Sequence, residues 1–188
     1  MIKSYPERRA PRLRMMGVTL VELAVTLGIV GILATIAVPS LTRLQHNAAR
    51  TAAVNDFMHT VFLARSEAIK RNAVVSVCRS VDGKHCANRT ANWETGWLVF
   101  VNTDRDQPAD RDTGEEILHR NDGWNGGRIT SNRLSFSFRP TAQGDVNGTI
   151  LFCDPRGHAS DARAIIISHT GRARISRRDS RGKALRCG

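Results

Sequence analysis

Val18 to Val38 form an unbroken apolar run, VTLVELAVTLGIVGILATIAV, in which Glu22 is the single charged residue. As a helix rising 1.5 Å per residue, such a run spans roughly 30 Å, the thickness of a bilayer hydrocarbon core. A plain signal anchor or a cleaved secretory signal are the ordinary readings of such a stretch. A secretory signal needs a small-residue A-x-A site after the apolar region, whereas this run ends at Pro39-Ser40. Residues 1–17 carry Lys3, Arg8, Arg9, Arg12 and Arg14 against Glu7, a net charge of +4. Basic residues ahead of a span keep that side cytoplasmic, so the bulk of the chain is expected outside.

Glu22 is anomalous in this setting. An acidic side chain in a membrane helix costs about 2.5–3.5 kcal/mol on insertion scales, less near the end of a span, and such a group usually has a partner. Cutting the chain a few residues upstream would create one, a new α-amino group. Gly17-Val18-Thr19-Leu20-Val21-Glu22-Leu23 closely resembles the type IV prepilin cleavage motif, a Gly followed by an apolar stretch with Glu at the fifth position after the cut. The basic leader and Pro39 fit the same pattern. Val18 departs from it, since most members have Phe there. The resemblance implies cleavage between Gly17 and Val18 by a prepilin peptidase and N-methylation of Val18. It also implies that Glu22 neutralises the N-terminus of a neighbouring subunit during assembly with other major and minor pilins. The expected location is the bacterial inner membrane, single-pass, with the C-terminal domain periplasmic, and then the pilus.

Four segments follow from the pattern: a cleaved leader over 1–17, a membrane and assembly helix over 18–39, its amphipathic continuation over 40–72, and a β-rich domain over 73–188. In the second helical half, Val54, Met58, Val61 and Ala68, with Phe57 and Ala64, lie near i, i+3, i+4, i+7 spacing, which predicts a core-facing stripe. Arg50, Asp56, Arg65 and Lys70 read as polar positions, and Pro39 should kink or soften the helix. Strands are expected at 74–77, 97–101, 134–138, 149–153, 164–168 and 173–175, with loops at 121–127 and 143–148. One helix followed by short strands predicts an α+β domain with an antiparallel sheet packed on the helix. ARSEAIKRN from Ala64, WETGWLVFVNTDRD from Trp93, FRPTAQGDVNGTILFCDPRG from Phe138 and ISHTGRARIS from Ile167 each resemble minor pilins of the GspH/FimT family. The fold this implies is the type IV pilin fold.

An exported chain sits where disulfides form. Cys78 and Cys86 flank Asp82-Gly83, a turn signal, while Cys153 ends an expected strand and Cys187 is penultimate. The expected bridges are Cys78–Cys86 and Cys153–Cys187. The second closes a loop of about 35 residues, which contributes roughly 3–4 kcal/mol in the loop-entropy account. No CxxC occurs, so zinc is not expected.

No HExxH, GxSxG, Walker A or GxGxxG motif is present, and neither a catalytic role nor a cofactor is expected. The His residues, at 46, 59, 85, 119, 158 and 169, share no ligand spacing. Asp104, Asp106, Asp110, Asp112, Glu115 and Glu116 lack the order of a calcium loop and read as a solvated acidic hairpin.

Charge is concentrated at the ends. Residues 156–188 have a net charge of +7, and the 138 residues between the two basic ends have none. Arg outnumbers Lys eight to one in that C-terminal segment, which favours bidentate contact with phosphate. Arg172 and Arg174 on one strand share a face, about 6.5 Å apart, and Arg177 and Arg178 extend the patch. A solvated charge run or attraction to anionic headgroups is the plainer reading. Gly171-Arg172-Ala173-Arg174 also matches the GRxR motif of FimT-type minor pilins. That resemblance implies non-specific binding of DNA through its phosphates, for uptake in natural transformation. The competing expectation is a minor pilin or type II secretion pseudopilin that acts only in filament assembly.

Overall fold

Helix α1 covers Leu20–Arg71. In this computed structural model, residues 17–141, 144, 146–155 and 161–187 are described. The leader up to Met16, Gln143 and the stretch from Arg156 to His158 lie outside them. Thr19 caps α1: its Oγ1 accepts from the Glu22 N–H at 3.2 Å. The helix assignment runs through position 39 without a break. At the other end Asn72 takes a positive φ of 50°. Asn72 N donates to Ile69 O and Ala73 N to Ala68 O, the paired bonds of a Schellman stop.

The chain divides into two units, residues 1–42 and 43–188. In the first, the described side chains of the apolar run are exposed, and α1 is long and apolar enough to cross a membrane.

Among the described residues the second unit contains eight strands: β1 (Val75–Arg79), β2 (Trp97–Val101), β3 (Ile117–Asn121), β4 (Arg128–Ser131), β5 (Ser135–Phe138), β6 (Gly148–Cys153), β7 (Arg163–Ile167) and β8 (Ala173–Ser176). They form two four-stranded sheets, ordered β3-β2-β1-β5 and β4-β6-β7-β8, with every pairing antiparallel. The α+β class and antiparallel pairing match the sequence expectation. The division into two sheets lies outside that expectation, as do β3 and β4. Both are edge strands: β3 buries no side chain fully and β4 only Ile129. A strand with one or no buried position carries little apolar alternation for a sequence reading to detect.

Both sheets contribute to one core. Ala53, Val54, Phe57, Val61, Ala64 and Ala68 of α1 pack with Val75, Val77, Val99, Phe136 and Phe138 of the first sheet and with Ile129, Ile150, Phe152, Ile165 and Ile167 of the second. Phe57 joins them. Its ring makes edge contacts with Trp93, Trp97, Phe136 and Phe152 at centroid distances of 5.6, 5.2, 6.2 and 6.2 Å. Edge-to-face geometry adds to the value of area burial. Phe57→Ala is therefore expected to lower stability by about 3–5 kcal/mol, read from denaturant unfolding followed by tryptophan fluorescence. One polar position of the sequence reading is corrected. Arg50 is buried, because it lies one helical turn before Val54 on the same stripe.

The acidic hairpin loop is not simply solvated. Glu115 is buried, and its carboxylate accepts from Thr103 N and Oγ1 and from Asp112 N. Asp106 accepts from Asp110 N and Asn102 Nδ2. These carboxylates hold the loop's own backbone. Among the described residues no cluster of three metal-ligating side chains occurs.

Candidate functional site

The hairpin joining β7 to β8 presents the basic segment. Gly171 sits at φ 67°, and its N–H donates to Ser168 O while Ser168 N donates to Arg172 O, both at 2.9 Å. A left-handed residue is required at that corner, and glycine adopts it without the cost a side chain adds. Chain direction is thereby set so that Arg172 enters β8. Arg65 of α1 donates from Nη1 to Thr170 O and holds the turn against the helix.

β8 is an edge strand, paired on one side with β7 through Ala164↔Ser176, Ile165↔Ile175, Ile166↔Arg174 and Ile167↔Ala173. Ile165 and Ile167 belong to the core beneath α1, so Ala173 and Ile175, their register partners, share the helix-facing side. Strand alternation then turns Arg172 and Arg174 to the outer face. Both are exposed.

The chain after β8 folds back over that outer face. Cys187 is bonded to Cys153, and Cys78 to Cys86. Leu185 packs with Cys153, Ala162 and Ala164, and the half-buried Leu151, Ile166 and Cys187 border that cluster. The turn before it is closed by Asp179, whose Oδ1 accepts from Arg181 N and Lys183 N at 2.8 Å. Those N–H groups, Lys183's first, hold the Asp179 carboxyl below its ordinary range. The basic segment is thus a folded strand and anchored loop.

The four arginines expected to act together do not all share one surface. Arg172 and Arg174 do, and neither guanidinium has a hydrogen-bond or ion-pair partner among the described residues. Arg178 lies past the strand, bridged to Ala184, with Nη1 donating to Gly182 O at 2.9 Å. Arg177 follows Ser176, the last paired residue of β8; burial and then the charge of Arg177 hold the Arg163 guanidinium below its ordinary range. Arg163 is not singled out by the sequence, because it precedes an apolar strand and no motif marks it.

At the opposite end of the chain, Gly17, Val18 and Thr19 precede α1 and are exposed. Glu22 lies in its first turn, and its carboxylate has no ion-pair partner among the described residues.

A family model described as type II transport protein GspH matches residues 53–171. The pilin-like protein PilA1 of Thermus thermophilus is 31% identical over 177 residues, covering 85% of this chain and 97% of its own. The type IV minor pilin FimU of Pseudomonas aeruginosa, solved in two crystal forms, aligns with a TM-score of 0.52 at 19% identity. The alignments cover 73% of this chain and 94% or 99% of FimU. That likeness is one of fold. The span matched by the family model stops at Gly171, so Arg172 and Arg174 take no part in it.

Proposed function

The chain belongs to the GspH family and is a minor pilin of the GspH/FimT type with the type IV pilin fold, and from that premise we propose that it binds DNA non-specifically for uptake during natural transformation. The carrying observation is the pair Arg172 and Arg174: exposed, unpartnered among the described residues and held on one face of an edge strand. Their strand is braced by Arg65 at one end and, beyond it, by the Cys153–Cys187 bridge. Two fixed guanidinium groups suit the phosphate backbone, which supplies affinity without sequence information. The GRxR resemblance favours the same reading. Members of this family work alongside other pilins, and the exposed apolar helix fits a membrane-anchored chain.

Maturation follows in the same proposal. A prepilin peptidase cuts after Gly17, Val18 is N-methylated, and Glu22 pairs with the new terminus of a neighbouring subunit. Glu22→Ala is expected to leave cleavage intact and to reduce the protein in sheared pili severalfold. Immunoblots of the sheared and membrane fractions measure both, and normal incorporation would refute the assembly role.

The test of DNA binding is a salt titration of the mature chain, in detergent, with random duplex DNA. Contacts from Arg172 and Arg174 predict a log–log slope of about −1.8, from −0.9 per phosphate contact. No measurable binding at low salt would leave the assembly-only reading, in which the β8 arginines serve to block edge-to-edge pairing.

A further inference from the structure

A cavity of about 580 Å³ opens in the second unit between the β4–β5 turn, the chain ahead of β6 and the β7–β8 turn. That volume is ordinary for a small-molecule site. Arg89, Arg133, Arg139 and His169 line it, and among the described residues no carboxylate does.

The hydrogen bonds around the cavity are one-sided. Asn132 Oδ1 accepts from Thr149 N at 2.8 Å. The backbone and side-chain oxygens of Asn147 accept from Arg133 Nε and Nη2 at 2.8 and 3.1 Å. Ser135 Oγ accepts from Ala109 N, and Gly144 O from Arg139 Nη1. These acceptors are engaged within the fold, whereas many donors are not. The Nδ2 groups of Asn132 and Asn147, the Arg89 guanidinium and Nη1 of Arg133 have no partner among the described residues. Gln107 runs the other way, giving Nε2 to Ser137 Oγ. A wall of cations and open donors favours an anion.

Arg133 is held ready for one. Nε and Nη2 form one edge of its planar fork, closed on Asn147, so the Nη1–Nη2 edge is left open in a set orientation. The turn that carries it is packed closely on β6. A Cβ built on Gly148 would lie 2.7 Å from Arg133 Cγ and 2.9 Å from Asn132 Oδ1. A side chain already ordered loses less rotamer freedom when a ligand binds.

We propose that this cavity receives the phosphate group of a nucleotide, either a free mononucleotide or a residue of a nucleic-acid strand. Phosphate oxygens supply acceptors for the open edge of Arg133, the Arg89 fork and the two carboxamides. Pro108, Leu134 and Val146 give the cavity an apolar wall for the sugar and base. Arg172 and Arg174 are not among its lining residues, so the site stands or falls independently of the DNA reading above.

Thermal unfolding of the mature chain in detergent, followed by the fluorescence of the core tryptophans, tests it. The probe is deoxyadenosine 5′-monophosphate, with sodium chloride of equal ionic strength as reference. With a Kd of about 1 mM, 10 mM probe shifts the folding equilibrium about 11-fold. That corresponds to a rise of about 3–5 °C in Tm. Deoxyadenosine, which lacks the phosphate, is expected to give no rise. Arg89→Gln, at an exposed position that leaves the fold intact, is expected to cut the response by more than half. Arg133→Lys keeps the charge but loses the fork, and the same reduction is expected. Arg172→Gln/Arg174→Gln is expected to respond in full. Four results would each overturn the proposal: equal Tm values in probe and chloride, an equal rise with deoxyadenosine, an undiminished response in Arg89→Gln or Arg133→Lys, or a response lost in Arg172→Gln/Arg174→Gln. A short duplex added to that last variant identifies the source. A rise in Tm with the duplex assigns a strand residue, and a rise with the mononucleotide alone assigns the free ligand.

Discussion

With arginine in place of Gly17, the chain is expected to remain in the membrane at full precursor length. The effect should be close to all-or-none. The Gly17–Val18 bond lies in non-helical backbone, and α1 starts only at Leu20. A protease must draw its substrate into extended form, and here no helix has to unwind first. The substitution is also uninformative about folding, which makes it a clean test. A Cβ built on Gly17 meets nothing within 4 Å, so the chain itself makes no steric demand for glycine there. Any loss of processing then reports the enzyme's requirement. Mass measurement of the N-terminus provides the readout. Mature protein beginning at Val18, in normal amount, would show that the cut is specified elsewhere.

The double variant Arg172→Gln/Arg174→Gln is expected to bind all duplex sequences about 30-fold more weakly at about 0.15 M salt. Each lost contact removes a factor of about 0.15 to the power −0.9, near 5.5, and the salt slope becomes shallower by about 1.8. The loss should be uniform across sequences because phosphate contacts position a protein without reading bases. The fold is expected to survive, since exposed substitutions of this kind change stability by less than about 0.5 kcal/mol. Transformation should drop while piliation and twitching persist. An assembly-only minor pilin predicts the reverse insensitivity: no change in DNA affinity, slope or transformation.

The contrast between these two regions also separates local signals from long-range ones. Cleavage motif, apolar span and helix stripe are local signals. Each residue's part in them depends on neighbours within one or two turns, so Phe57, Val61, Ala64 and Ala68 can be placed on the core face from spacing alone, and they are buried there. β1, β2, β6 and β7 are legible because strands buried in a sheet interior carry apolar runs.

Pairing across the chain carries no such local mark. The partition of eight strands into two sheets, and the recruitment of β3 and β4 to their edges, depend on which segments meet in space. The same holds for the arginines. By sequence Arg177 belongs with Arg172, Arg174 and Arg178 in one basic cluster. The strand that carries Arg174 across from Ile166 ends at Ser176, so Arg177 lies outside the paired register. Arg50 reads as a polar position on a helix, and only the packing of the sheet domain against α1 buries it. Which segment is long and apolar enough to cross a membrane and which helix face meets the core are written within contiguous residues, so the order of amino acids is enough to specify them. Which cations share a surface, and which buried one keeps unpaired donors, follows instead from strand register and burial, which arise only when distant segments are brought together.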